Sequence, residues 1–283
     1  MKTFVPLFFL LLSGCSAHYT TESFIYQDSQ PEKRLNIAKI QSELNAVDIS
    51  AVVSSVSLKS ENGITLRGIK LMNKNALVNI VFFSANGMKI SSSSRILNKF
   101  SLIPANVIWF DYQGMGVSDK NEKLSITSLR NDALQVFDFS KNDLPANLPI
   151  VIHGLSMGSV VASYVASSKE TDALILDGAI TTVSRIADNL MSAWSKPFYS
   201  ITLSPELEEI NNVDFLKKYR KPLLLLVGEN DSTTPAKDSE ELYNISPSKL
   251  KFLSIITNTE HAQTMKKGET IKAYQDFINR LFD

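Results

Sequence analysis

Two rhythms of apolar and polar positions alternate along the chain. Nearly unbroken apolar runs recur at Leu77–Phe83, Asn106–Phe110, Pro149–Ile152, Ala173–Leu176, Leu223–Val227 and Leu250–Ile256, the pattern of strands covered on both faces. Between them, residues Ser91–Phe100, Ser125–Asp138, Met157 onward, Pro235–Tyr243 and Ile271–Phe282 carry helix-start residues or apolar positions on one helical face. Strands alternating with helices predict an α/β fold, with a mostly parallel central sheet and helices on both faces. Val52–Leu58 and Ile64–Met72 flank Asn62-Gly63 and predict an antiparallel N-terminal hairpin. From Ile180 to Phe215 the pattern loosens. Met191, Trp194, Phe198 and Tyr199 keep helical spacing there, with Pro197 and Pro205 interrupting; this stretch, 180–215, is expected to be a small cap insertion that lines a pocket or covers the core.

Residues 1–14 change the picture at the N-terminus. Lys2 precedes an apolar run, Phe4–Leu12, too short to span a bilayer and of the length of a signal-peptide core. Leu12-Ser13-Gly14-Cys15 resembles the lipobox of bacterial lipoproteins, which implies removal of 1–14 and acylation of Cys15. Ser16 after that cysteine implies the outer membrane, so the expected location is the bacterial cell envelope. Acyl chains on Cys15 would contribute about 0.8 kcal/mol per buried methylene, enough for lasting attachment. The polar stretch Ala17–Gln30 is expected to be a tether. A helix opened by Pro31, with Ile37, Ile40, Leu44 and Val47 on one face, completes an N-terminal region, 15–50, ahead of one domain, 51–283.

The chain has 283 residues, 44% apolar, enough for one large core. Lys plus Arg equals Asp plus Glu, at 29 each, and no basic block carries interleaved aromatics, which argues against nucleic acid as a partner. One cysteine and three histidines exclude an internal disulfide and a cysteine-rich zinc site. No metal and no cofactor are expected.

The chemistry concentrates at Gly154-Leu155-Ser156-Met157-Gly158, between a strand and a helix. A glycine-flanked serine can simply cap a helix. In a sharp strand-to-helix turn, however, the residues two before and two after the pivot come together, and only small ones fit. The pentapeptide resembles the nucleophile elbow of the α/β-hydrolase superfamily. Asp111-Tyr112-Gln113-Gly114-Met115-Gly116-Val117-Ser118 is similar to a turn in the Bem46-like, monoacylglycerol lipase and serine aminopeptidase branch. Gly228-Glu229-Asn230-Asp231, followed by Pro235, is similar to the loop that carries the family's acid, and His261 falls where its histidine would.

The resemblance implies an α/β-hydrolase fold and a serine hydrolase with Ser156, Asp231 and His261 as catalytic triad, acting on an ester, thioester or amide. The partner would be a small-molecule, acyl or peptidyl substrate. Asp177, at the end of its strand, is the rival acid. His153 lies in the elbow strand and is expected to pack; His18 lies in the tether. Asp111 is expected to brace its turn, and Glu260 to be surface. The His-Gly that ends the family's third strand, which here corresponds to the run Leu77–Phe83, is replaced by Ser84-Ala85. If the registers match, the main-chain N–H groups of Asn86 and Met157 form the oxyanion hole. The departure leaves open a second reading, an inactive lipoprotein that keeps the fold as a binding or scaffolding module.

Overall fold

The computed structural model describes residues 15–32, 34–120, 124–191 and 199–283. The expected signal segment and the insertion's Trp194, Pro197 and Phe198 lie outside the described residues. The strands are β1 (Cys15–Tyr19), β2 (Val52–Lys59), β3 (Thr65–Met72), β4 (Val78–Phe83), β5 (Ala105–Phe110), β6 (Ile150–Leu155), β7 (Ala173–Asp177), β8 (Tyr199–Leu203), β9 (Leu223–Gly228) and β10 (Lys251–Ile256). Eight of them form one sheet in the order β10-β9-β7-β6-β4-β5-β3-β2. From β10 to β5 every pairing is parallel, and β3 pairs antiparallel with both β5 and β2. Strands β4, β5, β6 and β9 are buried along their whole length, as their unbroken apolar runs require.

Two apolar layers enclose the sheet. One packs the helices Ile126–Asp143, Met157–Ser168, Val183–Leu190 and Ala236–Ile245 through Leu129, Val161, Ile186 and Leu242. The other packs Ile37–Asn45 and Gly268–Asn279 through Leu44, Tyr274 and Phe277. The chain places β5 on one side of β4 and β6 on the other, so the loops leaving β4 and β6 diverge. In open α/β sheets ligands bind at such a switch point, at the strands' carboxyl ends.

Four expectations need correction. Ala17–Gln30 is not a free tether. β1 pairs in parallel with β8, Thr20 and Ser23 cap the turn Thr21–Phe24, and Ile25 and Asp28 are buried against the body. Polar composition concealed this because main-chain groups hold most of the segment. The helix after Pro31 begins at Ile37, with Asn36 accepting from the Lys39 N–H, and Val47 lies exposed beyond its end. Ser91–Phe100 is not one helix but two single turns, Ile90–Ser93 and Leu97–Phe100, joined through a 3₁₀ turn at Ser94–Ile96; four consecutive serines, Ser91–Ser94, weaken it because their hydroxyls compete for main-chain groups. Tyr199, placed by periodicity in a helix, begins strand β8.

Candidate active site

Ser156 ends β6 and caps the helix Met157–Ser168 with φ 53° and ψ −116°, a conformation that costs on the order of 1–3 kcal/mol in a non-glycine residue. The surroundings hold it there. Its N–H donates to the Asp177 carbonyl at 2.8 Å, and its carbonyl accepts from the Ser159 N–H at 2.8 Å. A Cβ on Gly154 would strike the Gly158 carbonyl and the Ala162 side chain, and one on Gly158 would strike the Phe83 and Ser84 carbonyls at the end of β4. Both glycines are therefore required by close approach, the second because the helix start lies against the β4 loop. Ser156 is 9% exposed, so the nucleophile is largely shielded from solvent.

His261 stands in the loop after β10, its side chain 24% exposed against 1% for Asp231. Its Nε2 lies 2.8 Å from Ser156 Oγ and its Nδ1 lies 2.7 Å from Asp231 Oδ2. This network assigns the proton to Nδ1, donated to the carboxylate, and leaves Nε2 to accept from the serine hydroxyl. Asp231 follows β9. Its Oδ1 accepts the N–H groups of Thr233 and Thr234 at 2.9 and 2.8 Å, and its Oδ2 accepts the Thr234 hydroxyl at 2.8 Å. Burial alone would raise this carboxyl; the donors from His261 and Thr234 outweigh it and hold Asp231 below the usual range. It is a fixed anion under the imidazole. A side chain on Gly178, which has φ +54°, would lie 3.3 Å from His261 Cε1 and 3.4 Å from Asp231 Oδ2.

The remaining candidates separate clearly. Asp177 is fully buried, accepts the Thr264 hydroxyl rather than His261, and is pushed up by burial to about 7, the Thr264 bond opposing the rise. It braces the histidine loop from below. His153 bonds Tyr274 Oη at 2.5 Å among Phe82 and Phe100, and burial lowers it to about 3; it packs as a neutral ring. Asp111 accepts the N–H groups of Ile90 and Val117 at 2.9 and 3.1 Å, Glu260 is exposed, and His18, on β1, bonds the Thr202 hydroxyl at 3.0 Å. The main-chain N–H groups of Met157 and Asn86 have no acceptor among the described residues, whereas both ends of the Asn86 side-chain amide are bonded.

Sequence reasoning missed Thr234, Thr264 and Gly178, which fix the acid and the histidine loop. The loop around Thr234 could have been flagged, since an aspartate in a turn commonly accepts the main-chain N–H two residues on, here that of Thr233; Thr264 and Gly178 carried no such signal. Beside Met157, Phe24, Ile25, Leu129, Val161, Ile180 and Ile210 line a small apolar cavity. Among the described residues no cluster of three or more His, Cys, Asp or Glu is arranged to hold a metal.

No family model matches the chain. The human protein ABHD12B is 25% identical over 228 residues, which span 74% of this chain and 62% of that protein. The lysophosphatidylserine lipase ABHD12 of Rattus norvegicus is 31% identical over 196 residues, 62% of this chain and 48% of the relative. The matched region thus spans about half to three fifths of these relatives' length. Among solved structures, the Pyrococcus furiosus esterase Pf2001 superimposes with a TM-score of 0.67 at 18% identity, covering 91% of this chain and 99% of the esterase. An eight-stranded, mostly parallel sheet with its serine at a strained strand-to-helix turn, taken with the likeness to this esterase, shows that the chain has an α/β-hydrolase fold.

Proposed function

We propose that the protein is a serine hydrolase that cleaves an acyl ester through a covalent acyl-enzyme, with Ser156 as nucleophile, His261 as general base and Asp231 as the acid that orients it. The observation that carries this reading is the continuous relay from Ser156 Oγ through His261 Nε2 and Nδ1 to Asp231 Oδ2, with links of 2.8 and 2.7 Å. A serine hydroxyl attacks a carbonyl poorly unless a base removes its proton as the bond forms. His261 Nε2 takes that proton, and the Asp231 carboxylate stabilises the resulting imidazolium through Nδ1–H. The negative oxygen of the tetrahedral intermediate is met by the N–H of Met157, at the positive end of its helix, and by the N–H of Asn86. Collapse expels the alcohol, which receives its proton from Nε2. Water then enters by the same route in reverse and releases the acid.

The esterase and lipase names borne by similar proteins favour an oxygen ester over an amide or thioester. Attachment to the envelope through an acylated Cys15 is part of this reading. β1 begins at Cys15 and pairs with β8 of the insertion, so an anchor there would bring the insertion side of the molecule to the bilayer. An intact relay argues against the inert scaffold. The test is hydrolysis of p-nitrophenyl esters from acetate to octanoate, with Ser156→Ala as control; turnover is expected in the wild type and loss by about 10³-fold or more in the variant. Hydrolysis that survives the substitution, or ligand binding with no hydrolysis of any ester, would decide against it.

A further inference from the structure

Residues 24–32 grip the loop after β4, whose start lies against the elbow helix, and the turn after β5. The Tyr26 N–H donates to Asn86 Oδ1 at 2.8 Å, and Asn86 Nδ2 donates back to the Phe24 carbonyl at 2.9 Å. The side-chain amide of Asn86 thus pairs with the segment as a neighbouring strand would, and both of its polar atoms are engaged. Farther along, the Asp28 N–H donates to the Gly114 carbonyl at 2.8 Å, and the Asp28 carboxylate accepts the Gly116 N–H at 2.8 Å and Lys89 Nζ at 3.0 Å. Asp28 is 8% exposed. Its bonds join the turn after β5 to the far end of the β4 loop, with Asn86 between the gripped points.

The β4 loop needs an outside grip. Apart from the strap its ties are few: the Met88 N–H to the Ala85 carbonyl at 3.1 Å, the Tyr112 hydroxyl to the Ser84 carbonyl at 3.0 Å, the Ser84 hydroxyl to the Met88 carbonyl at 3.3 Å and, at its far end, the Ile90 N–H to Asp111 Oδ1 at 2.9 Å; none of them holds Asn86 itself. An N–H that stabilises a developing oxyanion acts only if it is already aimed when charge appears, and a displacement near 1 Å can cost about 100-fold in rate. We propose that residues 24–32 are a strap that positions the oxyanion loop, with Asn86 as its latch: the Asn86 side chain grips the strap so that its own main-chain N–H is held toward the reacting carbonyl. Asp28 is a positioning residue that secures the strap and touches no reacting atom. The inference rests on the serine hydrolase reading, because only that chemistry calls on the N–H.

The test compares Asn86→Ala and Asp28→Asn with wild type on p-nitrophenyl acetate, butyrate and octanoate, alongside Ser156→Ala. Asn86→Ala keeps the main-chain N–H and loses both strap bonds; Asp28→Asn weakens the strap at a distance. Each is expected to lower kcat by about 10- to 100-fold with KM nearly unchanged, by the same factor for all three esters, and to slow inactivation by a fluorophosphonate in parallel. A defect confined to acyl binding would instead raise KM progressively with chain length. Wild-type kcat in both variants, or a chain-length-dependent rise in KM, overturns the strap proposal even where Ser156→Ala is inactive. Activity persisting in Ser156→Ala strikes the hydrolase reading itself. If Asn86→Ala does not fold, Asn86→Asp, which keeps the acceptor for the Tyr26 N–H and loses the donor to Phe24, is to give an intermediate kcat; wild-type kcat there counts against the latch.

Discussion

Two buried aspartates lie near the serine, and hydrogen bonding gives them opposite tasks. Asp231 has four donors in reach and stays ionised; Asp177 has one, and burial raises it to about 7. Asp231→Asn is therefore expected to cut kcat by about 10³- to 10⁴-fold, because the imidazole loses its orienting anion, whereas Asp177→Asn changes it by less than about tenfold. Steady-state kinetics on one ester checks both, and equal losses would reassign the acid. This choice was only half legible in the sequence: Asp177 ends a parallel strand and Asp231 follows one closely, and the side-chain direction that separates them is set by the loop around Thr234. A third aspartate gives a prediction about stability. Asp132 is buried on the helix Ile126–Asp143, neither of its carboxylate oxygens has a partner among the described residues, and burial raises it to about 7. Between the ordinary carboxylate range near 3.8 and about 7 the folded protein holds a proton that the unfolded chain has lost, so stability falls as pH rises through that window and levels off above it. Asp132→Asn is expected to add about 1–3 kcal/mol at pH 8, shrinking toward zero near pH 4. A gain in thermal midpoint independent of pH would contradict it.

The elbow is an element whose shape depends on missing side chains. Gly158→Ala puts a methyl group into the Phe83 and Ser84 carbonyls, so the helix Met157–Ser168 must move away from the β4 loop. The expected cost is about 1–3 kcal/mol in stability together with a fall in kcat. Gly268→Ala, where nothing lies within 4 Å of the added carbon, is expected to leave activity unchanged and stability equal or up to about 1 kcal/mol higher. Thermal melts and kcat on the pair check this; equal effects would show that the crowding at Gly158 does not matter. Elements of this kind were readable beforehand because the strand's apolar run and the glycine spacing are local. The segment 15–32 was not. Its docking is carried by main-chain bonds to β8, Gly114 and Gly116 and by the Asn86 amide, partners distant in the sequence that leave no mark on local periodicity. Tyr199 was hidden for a related reason: apolar residues at helical spacing do not reveal that it will begin a strand whose partner is the N-terminal segment.

At the scale of the molecule, the chain gathers its N-terminus, the insertion and both loops at the switch point onto one end of the sheet. No helix among the described residues is long and apolar enough to cross a membrane. The proposed attachment is through Cys15. Cys15→Ser is expected to shift the protein from the detergent phase to the aqueous phase on phase separation and to abolish palmitate incorporation, with turnover of a soluble ester retained. Unchanged partitioning would remove the lipid anchor from the account and leave the hydrolase reading intact. That reading requires side chains from three separate loops to act as one relay, and the most direct measurement of it is covalent capture. A fluorophosphonate incubated with the full chain should modify a single residue, identified by peptide mapping as Ser156, at a rate that drops by about 10³-fold or more in His261→Ala. Modification at another residue, or at Ser156 with an undiminished rate when the imidazole is gone, would contradict it.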